Sequence, residues 1–502
     1  MNILVINLGL KSIRTIIFDP AGRQLFGASR PVHTAIMGEQ AEQDANEWPV
    51  LLQACLETIR SESTLITSVR YVTVTTSSSC SLVLDANFKP ATPVYIVSDG
   101  RAHAEAEALD KSAAFRQANQ SCAASSPLAK FRWLKRAEPE TAKQVSYWAN
   151  AGDYLVALLT GRLVTDNLNA QKCHYREKGY DESILEVAGL SQPMLPEVVK
   201  IGTKLPLEDG FVRQNGFPAR SELIVTSYDA ICAVLGSTDG AATTACDVSG
   251  TVTSVRVLAR EPRVVKSPLM SQSIGGDGIS LVGCSNNLGG GIIEWYKQFL
   301  RMESSGDVYA QLEAEATLSS AGAQGVVFLP YLLGERAPFY KPNARATFFG
   351  LSRQTTPADL TRAVCESAAF VTRDLIGEIQ SQGIEVHTLS VSGGLARLGL
   401  INQIKADVSG LPVHVPENFE STAVGAFLLV AVAVGIFPDL RVAARVIKFR
   451  YIIQPNPEYH ALYEKAFALF KEINRGLGPS YELHAEHRRL SSSYRKATLS
   501  NL

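Results

Sequence analysis

The stretch Ser392–Pro412, SGGLARLGLINQIKADVSGLP, governs how the rest of the chain is read. The run leading into it, Val386–Ser392 (VHTLSVS), reads as a short strand with Leu389 and Val391 on one face. The strand meets Gly393-Gly394, and an amphipathic pattern follows with Ile401, Ile404 and Val408 on one side. Strand, paired glycines and helix together let backbone approach a flat or phosphorylated ligand, because glycine has no Cβ to hold the ligand off. The same geometry also serves as a tight strand-to-helix connection, so on these residues alone both readings stand.

Length and composition set the bounds. The chain has 502 residues, too many for one ordinary core, which implies two domains of about 200–250 residues each. Its 46% hydrophobic and 19% charged content is that of a soluble globular protein, and a net charge of −1 gives no electrostatic reason to expect nucleic acid or an acidic membrane surface. Eight scattered cysteines, with no C-x-x-C or paired metal spacing, fit reduced thiols in a cytoplasmic protein. No basic segment followed by a long apolar stretch opens the chain, so no secretory signal is evident. The most apolar run, Ala423–Phe437, is shorter than the ~20 residues a bilayer needs and reads as a buried helix.

Near the start, Asn2–Asp19 (NILVINLGLKSIRTIIFD) places two apolar runs around a turn at Leu8-Gly9-Leu10, a β-hairpin. A comparable strand–Gly–strand pattern returns at Val248–Leu258 (VSGTVTSVRVL), with Gly250-Thr251 at its turn. Two halves opening on such hairpins imply an internal duplication. The continuation of the glycine pair, GGxAxxxxxxQxxADxxGxPV, resembles the second signature of the FGGY carbohydrate kinases, members of the actin-like ATPase superfamily. That resemblance spans about residues 2–455. It implies an α/β, two-domain actin-like (ribonuclease H-like) fold in which the hairpins face each other across a cleft and hold the phosphates of ATP. Gly9, Lys11, Ser12, Gly250, Thr251 and Thr253 become phosphate-loop candidates. Gly393 and Gly394 are placed against the adenosine and α-phosphate, with Gly290, from the run Asn286–Trp295 (NNLGGGIIEW), and Asn402 as further nucleotide contacts.

The first hairpin departs from the family pattern. Where such kinases read Asp-x-Gly-Thr-Thr-Ser, this chain reads Asn7-Leu8-Gly9-Leu10-Lys11-Ser12. The usual aspartate helps hold the magnesium of MgATP, so Asn7 and Asp229 are the magnesium candidates. Asparagine still accepts a hydrogen bond from metal-bound water but carries no charge. At ~5 Å and an effective dielectric of about 20, one lost charge costs roughly 3 kcal/mol per unit of cation charge before solvent screening. Lys11 stands where a threonine is expected and is read as reaching a β- or γ-phosphate, or as pointing to water. The altered hairpin keeps open an alternative, a kinase-like carbohydrate-binding or regulatory protein with weak turnover.

On the sugar side, Thr75–Asp85 (TTSSSCSLVLD) clusters hydroxyls before a strand, and Pro93–Arg101 (PVYIVSDGR) ends on Asp99 and Arg101. Hydroxyls beside a carboxylate and a guanidinium suit a polyhydroxylated ligand, so Ser78, Ser79, Asp99 and Arg101 are the substrate candidates. The family's W-x-D-x-R motif keeps its last two anchors here and loses its tryptophan. The run Ser79–Val83 looks more like ribulokinase than glycerol kinase or xylulokinase, which points to a ketopentose. Ser126–Trp133 (SPLAKFRW) resembles the first family signature and includes Lys130.

Asp229, in Ile224–Gly236 (IVTSYDAICAVLG), follows a short strand and opens an apolar helix. A lone aspartate there is an ordinary helix cap; the resemblance makes it the catalytic base, which a sugar hydroxyl needs as a destination for its proton. Later, Glu335 and Arg336 are expected to form an ion pair, and Thr356–Gly383 carries the signals of a long helix, with Thr356 as cap and Asp359 completing a capping box. Glu420–Ala426 (ESTAVGA) is expected to pack a helix beneath the adenosine site.

The expected layout is an N-terminal domain over 1–240, a C-terminal domain over 241–465 and a polar, basic extension over 466–502. The expected activity is ATP- and magnesium-dependent phosphorylation of a sugar or polyol in the cytoplasm. The partners are ATP and the sugar, with no nucleic acid or membrane, and with a homodimer left open.

Overall fold

A strand apolar on both faces opens the chain. In β1 (Asn2–Leu8) all seven residues are buried, as a central strand covered on both sides must be. It pairs antiparallel with β2 (Ser12–Phe18), which pairs antiparallel with β3 (Gln24–Pro31). On its other edge it runs parallel to β4 (Val69–Thr76). With β5 (Lys204–Pro206) and β6 (Glu222–Ile224) the order is β5-β6-β4-β1-β2-β3. The helix α2 (Asp229–Leu235) lies beside this sheet, whereas α1 (Pro127–Ala137) packs in a second cluster of the same half with Val83, Tyr95 and Trp148. The structure, a computed structural model, describes residues 1–118, 121–176, 178–250, 252–259, 265–274, 279–300 and 307–499.

The second half repeats the plan. The hairpin β7 (Thr244–Ser249) and β8 (Thr253–Ala259) is flanked by β9 (Met270–Ile274), β10 (Ile279–Ser285), β11 (Thr388–Ser392), β12 (Val413–Pro416) and β13 (Phe449–Ile453), in the order β9-β10-β8-β7-β11-β12-β13. β7 pairs antiparallel with β8 and parallel with β11, as β1 does with β2 and β4. β11–β12 is parallel and β12–β13 antiparallel, matching β4–β6 and β6–β5. The duplication expected from two hairpins therefore extends through six strands of each sheet.

The helices follow from local chemistry. α3 (Gly291–Phe299) starts on the last of three successive glycines. α4 (Pro357–Ser381) starts at Thr356, whose side chain accepts from the Asp359 N–H while Asp359 returns the bond; a cap of this kind contributes about 1 kcal/mol. Its stripe of Val364, Ala368, Val371, Leu375 and Ile379 is buried in the core of the second half. α5 (Gly399–Ser409) is the helix expected after the glycine pair, with a short 3-10 turn between.

The chain divides into two compact units. The first holds Met1–Gly236 and Thr422–Val446; the second holds Ser237–Ser273, most of the chain to Ser421, and the residues from Ile447 onward. α6 (Ser421–Ala433) thus belongs to the first unit, although its place in the sequence pointed to the second. Its Phe427 ring lies 5.2 Å from that of Phe18. A Cβ on Gly425 would stand 1.8 Å from the Cys232 carbonyl, so glycine is what lets α6 press its backbone on α2. The motif expected to underlie the adenosine site braces the helix that begins with Asp229.

The tail also differs from expectation. α7 (Pro457–Gly476) and α8 (Gly478–Leu499) follow β13. Phe470, Ile473 and Tyr481 are buried in the core of the second unit, so the first part of the supposed extension is structural. All eight cysteines are unpaired and buried. Among the described residues no helix is long and apolar enough to cross a membrane.

Candidate active site

Asp229 is half-exposed at the first position of α2. Ser77 Oγ donates to its Oδ2 at 2.8 Å, and the Ala230 N–H donates to its Oδ1 at 2.7 Å. The Ser77 N–H in turn donates to the Leu8 carbonyl at 3.2 Å. One residue therefore links the carboxylate to the end of β1, where the first hairpin turns. Ser77 escaped the sequence reading because it sits in a row of five hydroxyls, Thr75–Ser79, whose facing is not encoded by type. The segment before Asp229 is pinned as well. Thr226 Oγ1 donates to the Val74 carbonyl at 3.0 Å, and Ser227 Oγ donates to Asp166 Oδ1 at 3.0 Å. Burial raises the Asp166 carboxyl above its ordinary range, against hydrogen bonds from Asn169, Ser227 and the following backbone. The cavity behind this segment, lined by Asp153, Asp166, Asn169 and Tyr228, measures about 20 Å³, which is room for one water and not for a sugar.

In the first hairpin the Gly9 N–H donates to the Ser12 carbonyl at 2.9 Å, closing the turn. Gly9 and Ser12 are half-exposed and Lys11 is exposed at the tip. Asn7 is buried, between Arg14 and Thr75 in the strand register.

The sugar-side candidates divide. Ser78 Oγ is buried with no hydrogen-bond partner among the described residues. Ser79 has φ 59°, in the left-handed region that costs a non-glycine residue about 1–3 kcal/mol. Its carbonyl is fixed by Lys130 Nζ at 2.8 Å, which also donates to the carbonyls of Tyr95 at 3.1 Å and Ile96 at 2.7 Å. Lys130 is fully buried, and desolvation lowers its pKa to about 8. Asp99 and Arg101 depart from the expected direct sugar contacts. Asp99 is 1% exposed, accepts from Arg101 Nε with both oxygens at 2.9 Å and takes the Ala41 N–H at 2.8 Å. The Arg101 guanidinium also meets Glu42 and lies 4.8 and 4.7 Å from the ring centroids of Tyr95 and Trp133. A buried, paired carboxylate has its lone pairs committed to the protein, so this pair braces the loop. The aromatic partner missing from the local motif is supplied by Trp133 and Tyr95.

In the second unit three glycine segments converge on one turn. The Gly290 N–H donates to the Gly250 carbonyl at 2.7 Å. Gly393 has φ +82°, and a Cβ there would stand 2.5 Å from the Ser249 carbonyl and 3.1 Å from the Gly250 nitrogen. A side chain at 393 would displace the hairpin, whereas Gly394 faces open space. Asn286 Oδ1 accepts the Thr253 N–H at 2.8 Å. Thr251 lies outside the described residues. Two expected nucleotide contacts are turned inward: Thr253 is 1% exposed, and Asn402, fully buried, donates to the Ala396 carbonyl at 2.8 Å, fastening the turn after the glycine pair to α5.

Glu335 and Arg336 grip backbone. Glu335 Oε1 accepts the N–H groups of Asn287, Arg336 and Ala337, and Arg336 donates to the carbonyls of Ser285 and Asn286. The expected ion pair becomes a clamp on the loop that holds Thr253. Desolvation raises the Glu335 pKa to about 7.

Family models match both halves of the chain: the N-terminal domain of the FGGY family of carbohydrate kinases over residues 2–236 and its C-terminal domain over 246–434. The chain belongs to the FGGY family of carbohydrate kinases and is an ATP-dependent sugar kinase. It is 24% identical over 428 residues to a gluconokinase from Bacillus licheniformis, covering 82% of this chain and 83% of that one. It is 26% identical over 507 residues to an autoinducer-2 kinase from Salmonella choleraesuis, covering 92% of each. Its fold is similar to that of a ligand-bound xylulose kinase from Lactobacillus acidophilus, with a TM-score of 0.86, 22% identity, and coverage of 96% and 99% of the two chains.

Proposed function

We propose that the chain transfers the γ-phosphoryl group of ATP to a hydroxyl of a ketopentose such as ribulose or xylulose, with Asp229 as general base. The observation that carries this reading is the half-exposed Asp229 carboxylate held by Ser77 at the end of the first hairpin. The acceptor proton passes to Asp229 as the acceptor oxygen bonds to the γ-phosphorus; the bond from that phosphorus to the bridging oxygen breaks, and ADP leaves. Backbone at Gly9, Ser12, Gly250, Gly290, Gly393 and Gly394 serves the nucleotide, and Lys11, exposed at its turn, reaches a terminal phosphate. Ser78 and Ser79 serve the acceptor, with Arg101 bracing their surroundings.

Among the described residues no three His, Cys, Asp or Glu side chains gather as a metal site. The half-exposed carboxylate of Asp229 fits magnesium brought on nucleotide phosphates, since this ion keeps its waters and takes only one or two protein oxygens. Asp229 and Asn7 would hold it, the second without charge, and bound magnesium would neutralise phosphate charge.

The ketopentose assignment is supported by the Ser79–Val83 run, which resembles that of ribulokinase, and by the absence of the Arg-Glu pair that marks glycerol kinases. ADP release is measured with ketopentoses, gluconate, glycerol and no acceptor, for wild type and Asp229→Asn. Ketopentose-dependent turnover, reduced about 10²–10⁴-fold in the variant with ATP affinity retained, is expected. Greater kcat/KM on gluconate or glycerol would overturn the acceptor. Unchanged turnover in Asp229→Asn would overturn the base.

A further inference from the structure

Beneath the turn of the second hairpin lies an ion pair sealed from solvent. Asp247 on β7 and Lys405 on α5 both have fully buried side chains, with Nζ 2.6 Å from Oδ2. Thr372 on α4 donates to the same Oδ2 at 2.7 Å. Ser249 Oγ donates to Asp247 Oδ1 at 2.5 Å and accepts from Lys405 Nζ at 3.1 Å. A serine hydroxyl has one proton, and here the carboxylate takes it. The 3.2 Å contact between Ser249 and Thr253 therefore has Thr253 as donor. Both shoulders of the turn, Ser249 on β7 and Thr253 on β8, are thus tied to one buried charge pair.

The fold does not demand that pair. In the first hairpin the last strand partners are Leu8 and Ile13, and in the second they are Ser249 and Thr253. Matching the copies on these positions sets Asp247 against Ile6, an apolar residue that is also fully buried. One copy fills the position with hydrocarbon and the other with a carboxylate that needs a lysine from another element. Replacing a buried ion pair by apolar groups of similar volume is often neutral or stabilising, so stability alone does not account for it. Lys405 also lies on the helix that follows Gly393, whose backbone abuts the Ser249 carbonyl.

We propose that Asp247 and Lys405, acting through Ser249 and Thr253, are positioning residues that lock the second hairpin to the glycine-pair helix and thereby set nucleotide affinity. This rests on the reading of that hairpin as a nucleotide contact. The test is the double variant Asp247→Ile/Lys405→Met, with Ser249→Ala as a second variant that keeps the charge pair. MgATP binding by calorimetry, KM for ATP, KM for the acceptor and thermal midpoint are measured for each. Both variants are expected to weaken ATP binding about tenfold, the equivalent of one positioned hydrogen bond, while acceptor KM stays unchanged and the double variant melts within a few degrees of wild type. Native ATP affinity in the folded double variant overturns the proposal, and if that variant does not fold, native affinity in Ser249→Ala overturns it. Parallel losses in ATP and acceptor KM also overturn it, because they mark general loosening. Wild type that binds no ATP refutes the nucleotide reading instead, so the two failures are distinguishable.

Discussion

Replacing Lys130 by methionine keeps the length of the side chain and removes its ammonium. The lysine is fully buried on α1 and donates to three carbonyls, those of Ser79, Tyr95 and Ile96. Leaving a buried acceptor without its donor costs about 1–3 kcal/mol each. Against this, removing the charge relieves its desolvation, and a fall in pKa from 10.5 to about 8 corresponds to roughly 3 kcal/mol. The three acceptors together cost about 3–9 kcal/mol, so the net loss is about 0–6 kcal/mol, and the thermal midpoint is expected to fall. The functional consequence is sharper than the stability change. Ser79 is held at positive φ with its carbonyl on the ammonium, two residues from the serine that holds Asp229. Freed of that bond the loop relaxes, so acceptor KM is expected to rise and kcat to fall while KM for ATP stays constant. The pH dependence has a definite sign. The folded pKa lies below the unfolded one, so the unfolded chain binds the extra proton between about pH 8 and 10.5, and wild-type stability relative to Lys130→Met rises across that window. Denaturant titration over this range, with steady-state kinetics near neutral pH, checks both parts. A variant with native acceptor KM and kcat would refute the coupling from lysine to loop to base.

Two further outcomes follow from the second unit. Gly393→Ala forces a Cβ to within 2.5 Å of the Ser249 carbonyl at a positive φ, so ATP KM is expected to rise at least about tenfold, and an unchanged ATP KM in the folded variant would contradict the reading of this turn as a nucleotide contact. Glu335 has its folded pKa raised to about 7 by burial, so the stability it contributes is complete below pH 4.5 and is lost as pH rises through 7. Denaturant titration should show wild type falling relative to Glu335→Gln across that window, and parallel curves would contradict the assignment.

What the sequence made legible was local or repeated. The capping box at Thr356 and Asp359 involves neighbours in the chain, and the two strand–Gly–strand signals were visible because one pattern occurs twice. What stayed hidden depended on direction. A polar residue at a strand end reads alike whether it faces a ligand or the core, and Asp99 and Asn402 both face inward. α6 is apolar all round, so no polar face marked which unit it would join, and its Gly425 gained meaning only from the Cys232 carbonyl against it. The basic end of the tail masks the spacing of Phe470 and Ile473, which are buried in the core.

Comparing the copies of the hairpin converts that limit into information. Ile6 and Asp247 occupy matching positions with equal burial, so one backbone environment accepts hydrocarbon in the first unit and a carboxylate in the second. Shape therefore cannot be what selects the charge. The selection has to come from what the carboxylate holds, namely Ser249 and, through it, the turn that Gly290 and Gly393 also touch. Lys11 is exposed at the first turn, among the groups proposed to meet a nucleotide, whereas Asp247 and Lys405 lie behind the second turn. The two copies thus vary in different layers, and affinity for ATP is where substitutions in both layers should register.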